Sequence, residues 1–135
     1  MQKDNEKLKI YLGVDWGEVR IGLALGNSEI KIAEPFRTVS SIKDILDIIK
    51  DEEIDEIVIG KPFKMINSEF KISEEFLGFN NELKQKTKLS VHEIDERLTS
   101  KAADKLVGRK KTKAGRDEIA AMLILQQYLD TKLTN

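Results

Sequence analysis

Apolar positions along the chain fall into short blocks whose spacing changes from block to block. Residues 8–14, LKIYLGV, carry apolar side chains on both parities, the pattern of a strand buried on both faces. After a turn over 15–20 containing Gly17, residues 21–25, IGLAL, form a second strand close enough to pair as a hairpin. Residues 30–39 make a weaker third strand, with Pro35 confining it to an edge or a break. At 41–51 the spacing changes to the 3.6 period: Ile42, Ile45, Leu46 and Ile49 share a helical face, and Ser41 with Asp44 predicts a capping box.

The second half alternates. Residues 57–60, IVIG, predict a fourth strand, and 61–68 a loop around Pro62. Residues 69–86 predict a helix with Phe76, Phe79 and Leu83 on one stripe, weakened at Gly78. Residues 89–95 predict the fifth strand, and 99–107 a short helix capped by Thr99 or Ser100. The last helix, 116–132, is apolar nearly all round at IAAMLIL, so burial is expected. Three strands in succession imply an antiparallel meander, and helix-separated strands add in parallel by right-handed crossovers. The expectation is an α/β protein with a mixed five-stranded sheet flanked by helices.

The 135 residues fit one domain. No apolar run approaches the roughly 18–20 residues that cross a bilayer, and the N-terminus lacks a signal-peptide stretch, so no membrane partner and a cytoplasmic location are expected. Cysteine is absent, which excludes disulfides and thiolate chemistry, and a single histidine, His92, excludes a multi-histidine zinc site. His92 is read as an ordinary strand residue in preference to a general acid.

Net charge is −1, from 23 cations and 24 anions, but the charge is unevenly spread. Residues 105–116 hold Lys105, Arg109, Lys110, Lys111, Lys113 and Arg116 with no acid, the footprint of a polyanion partner or of a solvated loop.

The acids are placed oddly for such a fold. Asp15 ends the first strand, Asp95 and Glu96 end the fifth, and Asp117 opens the most hydrophobic helix. Taken singly, each has a plain structural role: a turn, a pair with Arg97, or a helix N-terminus. Taken jointly, they could meet at one sheet edge, where close carboxylates repel unless a cation neutralises them. With oxygen donors alone, that cation is Mg²⁺ or Mn²⁺. Two such ions about 3.5–4 Å apart are a recurring device for phosphodiester hydrolysis.

The blocks GVDWGEVRIGLAL, IVIGKP, IDERLTS and KKTKAGRDEIAAMLILQQYLD, in this order, resemble the YqgF/RuvX family of RNase H-like nucleases. The resemblance covers about residues 8–130 and implies a single RNase H-like nuclease domain over 1–135 with sheet order 3-2-1-4-5. It implies a nuclease that matures the 5′ end of pre-16S ribosomal RNA, with resolution of Holliday junctions by a homodimer as the older alternative. By the same resemblance Asp15, Glu96 and Asp117 are catalytic metal ligands for Mg²⁺ or Mn²⁺, with Asp95 competing with Glu96 for the inward position. Arg20 and Arg97 match the family's arginines. Together with Arg109, Lys110, Lys111, Lys113 and Arg116 they are expected to bind structured nucleic acid, pre-rRNA or branched DNA.

Three departures stand out. Lys61 and Lys64 occupy a loop that is Gly-rich and acidic in the family, and Trp16 follows Asp15, either to stack on a base or to pack beneath the turn. Ala114 stands where the resolvase pattern has a fourth acid. Two further readings are a non-catalytic RNA-binding ribosome-assembly factor and, by the shared strand–D-x-G–strand start, a sugar-kinase-type phosphotransferase. The latter needs a second such domain.

Overall fold

The computed structural model describes residues 7–99 and 115–133. The first run becomes β1 (Ile10–Asp15), and the IGLAL run becomes β2 (Ile21–Asn27), paired antiparallel with Asp15 opposite Gly22. Strand β3 (Glu34–Val39) begins later than the alternation predicts. The Asn27 side chain accepts from the backbone N–H groups of Glu29 and Ile30, and Lys31 takes a positive φ of 63°, so this stretch turns before it can pair. Pro35 is tolerated because β3 is an edge strand, with a register shift opposite it between Leu23 and Ala24.

Helix α1 (Ile42–Asp51) is capped by the Ser41 hydroxyl, which accepts from the Asp44 N–H at 3.3 Å. The reciprocal half of the predicted box is displaced by one residue: Asp44 accepts from the Ser40 N–H at 3.4 Å. Ile42, Ile45 and Ile48 are the buried stripe, so Ile48, rather than Leu46 or Ile49, completes the core face.

Strand β4 (Glu56–Lys61) runs parallel to β1. The segment read as a loop and helix start instead makes a hairpin, β5 (Lys64–Ile66) with β6 (Glu69–Lys71). Asn67 and Ser68 both take positive φ, 53° and 66°, which suits a two-residue hairpin loop. Helix α2 (Glu74–Thr87) therefore starts five residues later than expected, where the Ser73 hydroxyl accepts from the Phe76 N–H at 3.1 Å. Gly78 lies on its open face, where no packing opposes it. Strand β7 (Ser90–Asp95) is the fifth strand of the main sheet, and a single 3₁₀ turn (Glu96–Leu98) follows. The helix expected over 99–107 lies outside the described residues, apart from Thr99. The last helix is α3 (Arg116–Lys132).

The main sheet has the order β3-β2-β1-β4-β7, which is the expected 3-2-1-4-5 with the extra hairpin left out of the count. Alternation sorts its side chains into two cores. Leu12, Val14, Leu23, Ile57 and Ile59 pack with Ile45 of α1 and with Phe76 and Leu83 of α2. Tyr11, Ala24, Val58 and Ile94 pack on the other face with Ala121, Ile124, Leu125 and Leu129 of α3.

Helix α3 sits unusually close to the sheet. A Cβ on Gly13 would stand 2.8 Å from the Leu125 Cβ and 2.9 Å from the Ala121 carbonyl oxygen. A Cβ on Gly22 would overlap the Asp117 backbone, and one on Gly60 the Ile124 side chain. Three small sheet positions thus admit the helix, and its first turn is pressed onto the start of β2.

Candidate active site

That close approach decides where Asp117 goes. Asp15 ends β1, Gly22 lies beside it in register on β2, and the Asp117 backbone touches Gly22. Parallel pairing of β1, β4 and β7 brings the end of β7 to the same edge, with Lys61 opposite Asp95 and Glu96 in the turn just beyond. Three carboxylates from distant parts of the chain thereby gather at one end of the sheet.

Their mutual influence shows in Asp15. Burial, then a hydrogen-bonding approach to Glu96, then the charges of Glu96 and Asp117 push its pKa up to about 9, against a smaller opposing effect of Arg116. Glu96 points inward: its Oε2 atom is buried and without a hydrogen-bond partner, and it lies 3.1 Å from where a Gly60 Cβ would be. Asp95 does not compete for that position. Its carboxylate caps the 3₁₀ turn, accepting from the Arg97 N–H at 2.9 Å, and pairs with the Arg97 guanidinium, which holds its pKa below the usual carboxylate range.

Asp117 is held differently. Its Oδ2 accepts from Arg20 Nε at 2.8 Å. Among the described residues no group of three acids or histidines stands as a ready metal cage. Asp15 and Glu96 face each other while Asp117 is engaged by Arg20. The donor set nevertheless suits a hard divalent cation: all-oxygen ligands, an orphaned buried carboxylate oxygen, and a desolvated aspartate that gathers protons for want of positive charge. Glu118, the other acid of the first turn, is committed elsewhere. It accepts from the Gly115 N–H at 2.9 Å and from the Thr38 hydroxyl at 3.0 Å, tying α3 to β3.

The expected cations divide into four groups. Arg20 is exposed at the site edge and paired with Asp117. Arg116 opens α3 and acts on Asp15. Arg97 is paired to Asp95 and stands over two phenylalanine rings. Arg109, Lys110, Lys111 and Lys113 lie outside the described residues. Trp16 packs inward against Phe76 and Phe79 of α2, with ring centroids at 5.8 and 6.2 Å, so the packing alternative describes it. His92 lies away from the acids, with Nε2 2.7 Å from Glu56 Oε1 and its ring stacked on Tyr128. Sequence reasoning overlooked Gly22 and Gly60, whose missing side chains leave room for Asp117 and Glu96. Their only sequence signal was glycine inside an otherwise apolar strand.

The sheet order, the helix-covered faces and the acidic strand ends define an RNase H-like domain. In fold the chain is similar to Thermus thermophilus RuvC solved in complex with a Holliday junction substrate: the TM-score is 0.57 at 12% identity, over 90% of this chain and 93% of that one. The profile described as "RuvX: Holliday junction resolvase" matches residues 9–131, and the chain belongs to that family. A relative from Chloroflexus aurantiacus, named "Putative pre-16S rRNA nuclease", is 33% identical over 94% of this chain and 90% of its own length. One from Orientia tsutsugamushi with the same name is 38% identical over 90% of this chain and 83% of its own length. No helix among the described residues is long and apolar enough to cross a membrane.

Proposed function

We propose that this chain is a divalent-metal-dependent nuclease that hydrolyses phosphodiester bonds in structured RNA, processing the 5′ end of pre-16S rRNA in the cytoplasm. The observation that carries this reading is the gathering of Asp15, Glu96 and Asp117 at one sheet edge, with Asp15 driven toward protonation and a Glu96 oxygen left unpartnered. Family membership and the names of the relatives point the same way.

In this reading the three carboxylates would hold a pair of Mg²⁺ or Mn²⁺ ions. When bound, these supply Lewis acidity toward a phosphoryl oxygen and lower the pKa of water. Asp15 would ligate such an ion as the carboxylate, its proton lost to solvent. The inward set of Glu96 is maintained by Asp95, which caps the turn and leaves its neighbour free. Arg20 releases Asp117 and turns to a flanking phosphate. Arg116 and the cations Arg109, Lys110, Lys111 and Lys113 hold the polyanion in register.

The test is cleavage of a ribosomal precursor in Mn²⁺ by the wild type and by Asp15→Asn. Loss of cleavage in the variant is expected, and equal cleavage by both proteins counts decisively against the assignment.

The family description and the RuvC-like fold favour a second substrate, branched DNA, cut by the same acids. Junction resolution needs two sites on a symmetric dimer. A monomer in sedimentation, or no preference for junctions over duplex, removes that reading. Precursor binding that is indifferent both to metal and to Asp15→Asn would instead favour an assembly factor without catalysis.

A further inference from the structure

Arg97 follows Glu96 in the turn after β7, yet its guanidinium pairs with Asp95 rather than with Asp15, Glu96 or Asp117. Its Nε lies 3.0 and 3.1 Å from the two Asp95 oxygens, and Nη2 lies 2.5 Å from Oδ2. The same guanidinium carbon stands 4.2 Å from the Phe63 ring centroid and 4.6 Å from that of Phe70. Phe63 lies between β4 and β5, and Phe70 is the middle residue of β6. One side chain therefore joins the end of β7 to both flanks of the β5–β6 hairpin.

The hairpin needs such an anchor. Among the described residues its two three-residue strands pair only with each other, forming a sheet separate from the main one. All six strand residues are exposed. A two-stranded hairpin without a packed face is marginal in water. The ion pair within it, Lys71 to Glu69 at 3.8 Å, is loose and exposed. Two of the five N–H donors of Arg97, one on Nε and one on Nη2, are already on Asp95.

We propose that Arg97 is a positioning residue and not a phosphate grip: it fixes the hairpin against the turn that presents Glu96, making the hairpin one wall of the substrate path. The proposal rests on the nuclease reading only for what the wall does. That Arg97 holds the hairpin stands apart from it.

Two measurements separate these parts. The first is amide hydrogen exchange over residues 62–72 in the metal-free protein without substrate. Arg97→Ala should speed exchange there by about tenfold or more, leaving β1 and β4 unchanged, because a segment with little buried packing opens readily once its tether is removed. Phe63→Leu combined with Phe70→Leu should reproduce the effect. Phe63→Tyr, which keeps the ring, should not. Arg97→Lys should behave like the alanine variant, since an ammonium cannot supply the bidentate, ring-stacking fork. Unchanged exchange in Arg97→Ala overturns the clamp.

The second measurement is cleavage kinetics on a ribosomal precursor in Mn²⁺. For Arg97→Ala the expected result is a fall in kcat of about tenfold or more with little change in KM, shared by the double phenylalanine variant. A raised KM at full kcat would make Arg97 a direct phosphate contact and overturn the proposal. Faster exchange with unaltered kinetics would overturn the role of the wall. If the wild type cleaves nothing, the nuclease reading and the wall fail together, while the exchange result still decides the clamp.

Discussion

Arg20 and Asp117 stand 97 positions apart in the chain and meet through a 2.8 Å bond from Nε to Oδ2. The pair places a monovalent, tethered cation on one of the three acids that the proposed chemistry requires. Arg20 thus competes with a divalent ion for Asp117. Arg20→Gln is expected to bind Mn²⁺ more tightly than the wild type by calorimetry, with an almost unchanged unfolding midpoint, because the arginine is mostly exposed. Turnover should fall, since the proposed function gives the same side chain a flanking phosphate. Unaltered Mn²⁺ affinity would show that Asp117 is not a ligand.

Asp15 binds its proton far more tightly in the fold, with a pKa of about 9, than in the unfolded chain, near 3.8. Between these values the native state holds a proton that the unfolded state has lost. Stability of the metal-free protein should therefore decline as pH rises from about 4 to about 9 and level off above that. Asp15→Asn should flatten this decline and stabilise the metal-free protein at pH 7, because the amide needs no proton uptake on folding. Thermal unfolding with and without Mg²⁺ checks both halves: the ion should stabilise the wild type and not the variant.

Gly22→Ala should be damaging out of proportion to one methyl group. The new Cβ would overlap the backbone of Asp117, which cannot swing aside as a side-chain tip can. Forced overpacking of this kind costs about 1–3 kcal/mol. Denaturant unfolding should register that loss. Cleavage should be abolished even where the protein remains folded, because the first turn of α3 must lift away from Asp15. Full activity in a folded Gly22→Ala protein would refute this account of the site.

Glu56 lies at the other end of the sheet and accepts from Lys9 at 2.8 Å while meeting His92 at 2.7 Å. Burial opposes its ionisation, but the bonds to Lys9 and His92 outweigh burial and lower its pKa. The stabilising contribution is present above the ordinary glutamate value of 4.5 and is lost as pH falls through the lower folded value. Glu56→Gln should be less stable than the wild type at pH 7, and the difference should shrink as pH falls below 4.5. Cleavage at neutral pH should survive, because no part of this cluster reaches the acids. A pH-independent difference would rule out the charge as its cause.

The fold was legible where a rule of local sequence and a demand of the core agreed. Alternation and helical spacing predicted all five strands of the main sheet and the buried last helix. The resemblance supplied the sheet order. Legibility failed at 61–73. The helix expected from residue 69 starts only at Glu74, because Asn67 and Ser68 turn the chain back into a hairpin first. It failed again at Asp95 and Glu96, since alternation admits either acid to the inner face. Capping of the 3₁₀ turn by Asp95 settles the matter in favour of Glu96.

By itself the sequence determined the five strands of the main sheet, the buried last helix and the short set of acids available for chemistry. These follow from residue type and spacing, which act locally. Only the tertiary structure decided that Asp117 would face Arg20, that Trp16 would pack inward, and that Arg97 would hold a hairpin. Each depends on which distant surface arrives beside the residue. That is set by how closely α3 can approach three sheet glycines and by where the parallel strands end.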